Sequence, residues 1–433
     1  MKKIVVAPDF YNLAETHRMI SFVEAFCKKD WDVYVIGEGP YDSLLGELKV
    51  IRKYVAYDEN WFTPEKYVTM HSIDEAGFDY FSVDDLISFV EQEKVIISEI
   101  QPDVILTGYR LTMSLTARLL GIPIVWVMSA VLSDMYFQKR LATMPHGHVL
   151  MSTLIKSLRS EEVDEFFCKN ALKMSRGSKN WKKCAKHYNI KPFKSDIEIF
   201  RGDYNIMADC PFLFSEFGTL PVYYDFCGPL LFEYKQEIPK SVITYKKGKR
   251  PTIFFCMGSS GNPEICRNII FNLCRLTAFD VFIAGSNLVE KEELKELPDN
   301  IIVERMLPIP EVAAVSDVTI IHGGQGTLYA TIMSGVPFVG IPFFCEQQYN
   351  LETFERAGCG KVLMKNCSFE DIMSAVHEVL EQKSYKMSAQ NTGNKIKQYI
   401  DEMEYTAGEY GANGIIKFLE QYTADQTISY FHD

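Results

Sequence analysis

Several features that define other classes of protein are missing from this chain. Its eleven cysteines form no CxxC pair and no regular spacing, which argues against a disulfide framework and against secretion. Cys27, Cys256 and Cys274 instead lie inside apolar runs, where a thiol behaves as a small hydrophobe. This use of cysteine favours a reducing, cytoplasmic setting.

Long apolar runs and an excess of positive charge are also missing. No run approaches the roughly 18 residues that span a membrane, and the chain enters a predicted strand at Lys2 without a signal peptide. The net charge of −12 argues against nucleic acid as the main partner. The lysine-rich stretch from Lys246 to Arg250 is more typical of a solvated linker. We therefore expect a soluble protein without a transmembrane segment.

What is present is a globular composition and a repeated alternation of elements. Hydrophobic residues make up 47% of the 433, enough for two domains of roughly 200 residues each. Helical periodicity is visible at Leu13–Lys28, Val83–Ile100 and Leu111–Leu120. The strand-like runs are Ile4–Ala7, Val33–Ile36, Val104–Leu106 and Ile124–Val127 in the first half, then Thr252–Cys256, Val281–Ala284, Ile301–Val303, Val318–Ile321 and Phe338–Ile341. Such alternation predicts two doubly wound, Rossmann-like α/β domains with parallel sheets.

The punctuation of the chain predicts the limits of these domains. Cys227-Gly228-Pro229-Leu230 ends the first half, so we expect a domain at 1–230, a linker at 231–250 and a second domain at 251–400. The remaining 401–433 belongs to a helical pattern that we expect to pack back on the first domain. Residues 60–95 are rich in aromatic side chains and predict a loop and helix beside the cleft between the domains.

The most informative stretch runs from Ile320 to Thr327. An apolar strand enters a glycine-rich turn, and a helix is predicted to begin near Gln325. Unpaired N–H groups and the positive end of the helix dipole then point at one spot, which suits a phosphate. The next strand leads to a polar loop, Glu346 to Asn350, able to hold a group attached to that phosphate.

With these residues the chain resembles glycosyltransferases of the GT-B type, close to the family-1 enzymes that act on macrolides, sterols and plant natural products. Five motifs occur in the family's order: HGGxGT at 322–327, GVP at 335–337, DQxxN as Glu346 to Asn350, GxG at 358–360 and vGPl at 226–230. The resemblance covers Thr252 to about Leu380 and is faint in the first half.

The resemblance implies a donor site in the second domain. His322, Gly324, Gln325, Gly326 and Thr327 would hold the diphosphate, whose developing negative charge fixed donors stabilise without a metal. Glu346 and Gln347 would bind sugar hydroxyls, although the family usually has Asp-Gln there. Asn350 would either reach the phosphate or support the loop. The sole DxD, Asp30-Trp31-Asp32, opens a strand and is interpreted as surface polarity.

The nucleotide would also contact two further segments. Met306 and Leu307 stand where the family has WVPQ, without its Trp and Gln. Gly258 and Ser259 form a second turn able to face phosphate. Ala330 replaces the Glu that holds ribose hydroxyls in many members, so UDP and dTDP both remain open.

A catalytic base is harder to assign, because transfer with inversion needs one near the acceptor hydroxyl. Relatives use the histidine of a GHxxP or GHxxR turn after the first strand. In the matching piece Arg18 falls on the R and Glu15 on the histidine, whereas His17 is displaced by two residues. Glu15, His17 and Asp9 are the candidates, and capping or surface roles compete with each.

The resemblance implies an inverting, metal-independent transfer of a hexose from a UDP- or dTDP-sugar to a hydroxyl of an apolar or aromatic small molecule, with the first domain binding the acceptor. No further cofactor is expected. Two alternatives remain: a nucleotide-sugar epimerase of the same fold, and a non-catalytic partner that keeps the fold and activates another transferase.

Overall fold

The computed structural model describes residues 2–55, 81–145, 160–175, 178–231, 237–258, 262–285, 288 and 297–424. Its strands form two sheets. The first contains β1 (Lys2–Ala7), β2 (Trp31–Ile36), β3 (Ile51–Lys53), β4 (Val104–Thr107), β5 (Ile124–Met128), β6 (Tyr204–Met207) and β7 (Tyr224–Phe226). The second contains β8 (Thr252–Cys256), β9 (Asp280–Ala284), β10 (Ile301–Glu304), β11 (Val318–Ile321), β12 (Phe338–Gly340) and β13 (Gly360–Val362).

Helices connect the strands and cover both faces of each sheet. They are α1 (Leu13–Cys27), α2 (Val83–Ile100), α3 (Met113–Leu120), α4 (Asp134–Gln138), α5 (Ser160–Ala171), α6 (Lys179–His187), α7 (Lys240–Ile243), α8 (Pro263–Leu273), α9 (Ile309–Val315), α10 (Gln325–Met333), α11 (Cys345–Arg356), α12 (Phe369–Glu381), α13 (Lys383–Asp401) and α14 (Ala407–Ala424). Short 3₁₀ helices lie at Asp42–Leu45, Ala130–Leu132, Ile197–Phe200 and Pro211–Phe217.

All described strand pairs are parallel, as predicted. The strand order is β3-β2-β1-β4-β5-β6-β7 in the first sheet and β10-β9-β8-β11-β12-β13 in the second. The order reverses between β1 and β4 and again between β8 and β11. In doubly wound folds ligands bind outside the carboxyl ends of the strands at such a reversal. The topology therefore marks one candidate spot in each domain.

The apolar cores lie between the sheets and their helices. Side chains of β1 and β4 alternate between two clusters, with Ile4 and Val6 facing α1 and α14, and Val5 facing α2, α3 and α6. In the second domain Ile320 of β11 packs toward α8 and α12 on one face. Because both faces of each sheet are covered, the strands read as nearly continuous apolar runs.

The C-terminal helix packs on the first domain, as expected. α14 crosses α1 so closely that a Cβ on Gly408 would lie 2.4 Å from the carbonyl oxygen of Ser21. Lys28 Nζ pairs with Glu409 Oε1 at 2.9 Å, and Phe418 stacks on Tyr204 with ring centroids 5.2 Å apart. The polypeptide thus returns to the first sheet after completing the second.

Some expectations from sequence need correction. Strands β3, β6, β7 and β13 were not predicted, because each has three or four residues and β3 is largely polar. The described part of the expected linker contains the helical turn α7. In the same segment Lys247 and Arg250 pair with Asp317 and Asp280, each at 2.7 Å.

The aromatic segment is described only from Phe81 onward; 56–80, including Trp61, lie outside the described residues. Phe81 is buried and packs edge-on against Phe89 and Trp181, so it belongs to the core of the first domain rather than to a cleft loop. All eleven cysteines are free. Among the described helices, none combines the length and apolarity needed to cross a bilayer.

Candidate active site

Loops from the carboxyl ends of both sheets meet across a cleft. Arg18 Nη2, on α1 of the first domain, lies 3.3 Å from Glu346 Oε1 on α11 of the second. Ser129 Oγ, after β5, donates a hydrogen bond to Asn350 Oδ1 at 3.1 Å. The two sequence regions expected to carry the base and the donor site are therefore neighbours in space.

The glycine turn after β11 depends on close backbone packing. Gly323 has φ +90°, and a Cβ there would lie 2.5 Å from the carbonyl oxygen of Gln347. Only glycine adopts this conformation in this space without strain. The turn is thereby fixed against the first turn of α11.

His322 lies between two glycines at the reversal point of the second sheet. A Cβ on Gly258 would sit 2.7 Å from its Cε1, and one on Gly324 would sit 2.7 Å from its Nε2. Burial lowers the pKa of His322 to about 4, so the imidazole is neutral at pH 7. Its Nδ1 is buried and has no hydrogen-bond partner among the described residues. A neutral imidazole keeps one N–H donor for a ligand.

Helix α10 begins at the same spot, at Gln325. No side chain caps its N-terminus, and its first intrahelical bond runs from the Leu328 N–H to the Gly324 carbonyl. The N–H groups of Gln325, Gly326 and Thr327 therefore have no intrahelical acceptor. A Cβ on Gly326 would meet nothing within 4 Å, so open space borders this turn. The geometry suits an anion such as a diphosphate.

The Gln325 side chain turns away from this space and crosses to the first domain. Its Nε2 donates to Asp209 Oδ1 at 2.8 Å and to the Ala208 carbonyl at 2.9 Å. Asp209 also accepts from the Tyr329 hydroxyl at 2.9 Å and the Ala130 N–H at 2.7 Å. Burial raises the pKa of Asp209, opposed by these donors. Only the backbone N–H of Gln325 is therefore left to bind a nucleotide sugar.

The polar side chains that follow β12 differ in what they contact: some bond to backbone groups, and one faces the cleft. Gln347 Oε1 accepts from the N–H groups of Phe343 and Phe344 at 2.8 and 3.2 Å and so caps α11. Glu346, one residue earlier, instead faces the cleft and Arg18. Asn350 Nδ2 donates to the Gly323 carbonyl at 3.2 Å, which favours its loop-supporting role. The sugar-binding roles of Glu346 and Gln347 stay predictions.

Glu15 lies at the reversal point of the first sheet. Asn12 Oδ1 caps α1 by accepting from the Glu15 N–H, and Glu15 Oε2 accepts from the Asp9 N–H at 3.0 Å. A Cβ on Gly108 would lie 2.8 Å from Glu15 Oε1, so the carboxyl group rests on the turn after β4. Burial raises the pKa of Glu15 to about 7.

Asp9 is partly buried beside Glu15, and burial together with the charge of Glu15 raises its pKa well above the ordinary value. Burial and the charges of Glu346 and Asp9 raise the pKa of Tyr109 in turn. The charges of Asp9 and Glu346, from opposite domains, therefore act on the same tyrosine. His17 is 7% exposed, and burial lowers its pKa to about 4.

Of the residues expected to contact the nucleotide, the structure describes Gly258, Met306 and Leu307. Met306 is 40% exposed and Leu307 is buried in the core around β8. This leaves Met306 as the side chain able to contact a base, with backbone groups of Leu307. Ser259 lies outside the described residues, whereas the neighbouring Gly258 borders His322.

Sequence reasoning missed four residues that shape the cleft: Arg18, Tyr109, Ser129 and Asp209. Arg18 carried a signal, because it matches the R of GHxxR, but no contact could be assigned to it. Asp209 follows β6, a strand that was not predicted. Its role depends on contacts more than one hundred residues away, which periodicity does not reveal.

One cavity lies apart from this cleft. A cavity of about 340 Å³, lined by residues including Tyr245, Arg250 and Asp280, opens at the amino ends of β9 and β10. Ligands of doubly wound domains bind at the opposite edge. In the described ranges no group of three His, Cys, Asp or Glu side chains is arranged to hold a metal ion.

Comparisons with known proteins agree with this geometry. The family model for UDP-glucoronosyl and UDP-glucosyl transferase matches residues 295–394. A PGL/p-HBAD biosynthesis rhamnosyltransferase from Mycobacterium bovis is 24% identical over 90% of this chain and 83% of its own length. The glycosyltransferase of kitacinnamycin superimposes with a TM-score of 0.66 at 16% identity, over 96% of this chain and 98% of its own. The glycosyltransferase VinC, solved in complex with dTDP, gives 0.61 at 14% identity, over 96% and 100%.

The two facing Rossmann-like domains are the GT-B fold. With the matched family model and relatives, they identify the chain as a glycosyltransferase of GT-B fold whose sequence is similar to that of family-1 enzymes. The predicted fold class and enzyme class are thereby confirmed.

Proposed function

We propose that the chain is an inverting, metal-independent glycosyltransferase that moves a hexose from a dTDP- or UDP-sugar to a hydroxyl of an apolar or aromatic small molecule. The observation that carries this proposal is the contact between the two domains at their reversal points, where Arg18 meets Glu346 and Gln325 meets Asp209. His322 and the N-terminus of α10 belong to one reversal point, and Asp9 and Glu15 belong to the other. A base and an anion site then face each other across one cleft.

The second domain, 251–400, holds the donor in this proposal. The N–H groups of Gly324, Gln325, Gly326 and Thr327 and the imidazole of His322 bind the diphosphate. Their value lies in the transition state, because fixed donors stabilise the charge that builds on the departing diphosphate. Neutral His322 donates without itself needing a counter-ion, which its lowered pKa supports.

The nucleotide and sugar follow from this placement. In this proposal Met306 and the backbone of Leu307 contact the base, and the turn that begins at Gly258 faces the phosphate. Glu346 and Gln347 bind the sugar, and a role for Ser259 stays a prediction. The dTDP complex of VinC supports a thymidine nucleotide, and the rhamnosyltransferase relative supports a deoxyhexose among the sugars to be tested.

We assign the role of catalytic base to Asp9, and Glu15, which is hydrogen-bonded to the Asp9 backbone, supports it. Asp9 follows β1 at the reversal point of the first sheet, and its charge and that of Glu346 both raise the pKa of Tyr109, which supports a place for Asp9 on the cleft. Glu15 is 2% exposed and bonded to the Asp9 backbone, so it tunes Asp9 rather than meeting a substrate. Ionised Asp9 takes the acceptor proton while the oxygen attacks the sugar carbon opposite the diphosphate.

The first domain, 1–230, then binds the acceptor, while 231–250 connects the domains and 401–433 returns to the first. The eleven free cysteines support a reducing, cytoplasmic setting. The preference for an apolar or aromatic acceptor remains a proposal that an acceptor panel tests.

The test is incubation with dTDP- and UDP-sugars, with and without a panel of phenols and hydroxylated lipids. We expect slow hydrolysis with donor alone and a new glycoside with acceptor, of inverted anomeric configuration. EDTA should leave the rate unchanged. A 2-epimer or free glycal from donor alone supports an epimerase, and tight nucleotide binding without any turnover supports a non-catalytic partner.

A further inference from the structure

We infer that Arg18 is a positioning residue for the donor sugar: by holding one carboxylate oxygen of Glu346 from the opposite domain, it presents the other oxygen to a sugar hydroxyl. The inference rests on the proposed function and adds a residue that contributes to recognition of the donor sugar. Arg18 would thereby couple sugar recognition to the acceptor domain.

The geometry of the pair carries this inference. Arg18 Nη2 lies 3.3 Å from Glu346 Oε1, with side chains 8% and 26% exposed. The described residues offer Glu346 Oε2 no hydrogen-bond donor, and the carboxylate borders the cleft. A carboxylate has about four acceptor sites, so one guanidinium contact leaves capacity for hydroxyl donors.

The length of the side chain matters for this contact. Glu346 is the second residue of α11, where the helix dipole favours a negative charge. An aspartate there would end about 1.5 Å short, the length of one C–C bond. The glutamate therefore reaches across to the other domain, which a shorter acid does not do from the same backbone.

Arg18 is held in place on its own side of the cleft. It is 6% exposed on α1, and its charge lowers the pKa of both Glu15 and Asp209 against the effect of burial. The burial of Arg18 on α1 and the attraction of these carboxylates restrict its side chain before a donor binds, so that it can support Glu346.

The test compares calorimetric affinities for a nucleotide diphosphate and for its sugar conjugate, using dTDP with dTDP-rhamnose and UDP with UDP-glucose. The ratio of the two affinities isolates the contribution of the sugar. For the pair that binds the parent chain better, we expect Arg18→Met to lower this ratio about tenfold, the value of one charge-assisted hydrogen bond. Arg18→Lys should recover part of it.

Two further variants separate positioning from folding. Arg18→Met and Glu346→Gln should be non-additive in the ratio, because both break one unit. Lys28→Met removes the ion pair with Glu409 at the residue after the C-terminus of α1 and should leave the ratio unchanged. An unchanged ratio in Arg18→Met, or additive effects, overturns the inference while the proposed function stands. Failure of every nucleotide to bind the parent chain removes the proposed function itself.

Discussion

Gln325 Nε2 lies 2.8 Å from Asp209 Oδ1 and joins the first residue of α10 to the loop after β6. One side chain of the motif that we propose to bind phosphate is therefore hydrogen-bonded to the opposite domain. This buried hydrogen bond, together with the glycines of the turn, holds the N-terminus of α10 in place.

Asp209→Ala should destabilise the folded chain by about 3 kcal/mol, because it leaves the buried Tyr329 hydroxyl and Ala130 N–H without an acceptor and removes one acceptor of Gln325 Nε2. Urea unfolding followed by fluorescence measures the difference. Glu216→Gln changes an exposed carboxylate of the same domain and should cost less than about 0.5 kcal/mol. Equal losses for the two variants would refute the role given to Asp209.

His322→Ala should remove most of the stabilisation that dTDP or UDP gives. At 100 times the dissociation constant, a bound nucleotide adds about 2.7 kcal/mol to the free energy of unfolding. Thermal shift at fixed nucleotide concentration measures the change. His377→Ala alters an exposed histidine of the same domain and should keep the full shift. Identical shifts for both variants would contradict the assignment.

Gly324→Ala and Gly326→Ala should change the free energy of unfolding in opposite directions, the first through a steric clash and the second through helix propensity. Gly324 has φ −59°, which alanine tolerates, but its Cβ would lie 2.7 Å from His322 Nε2. We expect a loss of about 1–3 kcal/mol from overpacking. Gly326 has open space and lies inside α10, so alanine there should stabilise the ligand-free chain by up to about 1 kcal/mol. Unfolding free energies of the ligand-free variants decide.

Most of the second sheet and the glycine turn after β11 were predictable because their signals are local. The run from Val318 to Ile321 followed by glycines defines β11 and the start of α10 within ten residues. The cleft contacts were not predictable in the same way. Arg18 and Glu346 are 328 residues apart, and Gln325 resembles any polar residue in a helix until its partner Asp209 is known. Short strands such as β13 carry too few residues for a periodic signal.

The pH dependence of turnover should report the carboxyl pair of Asp9 and Glu15. The base acts when ionised, so kcat/KM rises with pH through the apparent pKa of the pair, which lies near 7 if Glu15 sets it. Asp9→Asn should lower kcat about 10²- to 10⁴-fold. Glu15→Gln removes a negative charge beside Asp9, so the rise of kcat/KM with pH should move to lower pH. His17→Gln is the control and should change neither kcat nor the pH at which kcat/KM rises.

Glu352 should make the folded chain less stable as pH rises. It accepts hydrogen bonds from Thr143 across the domain interface and from Gln348 on its own helix, and burial raises its pKa from 4.5 to about 7. A raised pKa in the folded state means that stability is full below pH 4.5 and is lost as pH passes 7. Glu352→Gln should flatten this dependence by about 3 kcal/mol relative to the parent chain. Parallel curves in urea unfolding from pH 4.5 to 8 would exclude the effect.

The most direct measurement is a crystal structure of the chain with an intact dTDP- or UDP-sugar. The diphosphate should lie within about 3 Å of the N–H groups at Gly324 to Thr327 and of the His322 imidazole, with the sugar between Glu346 and Asp9. A diphosphate bound elsewhere, or a cleft that stays empty at saturating donor, would contradict the account.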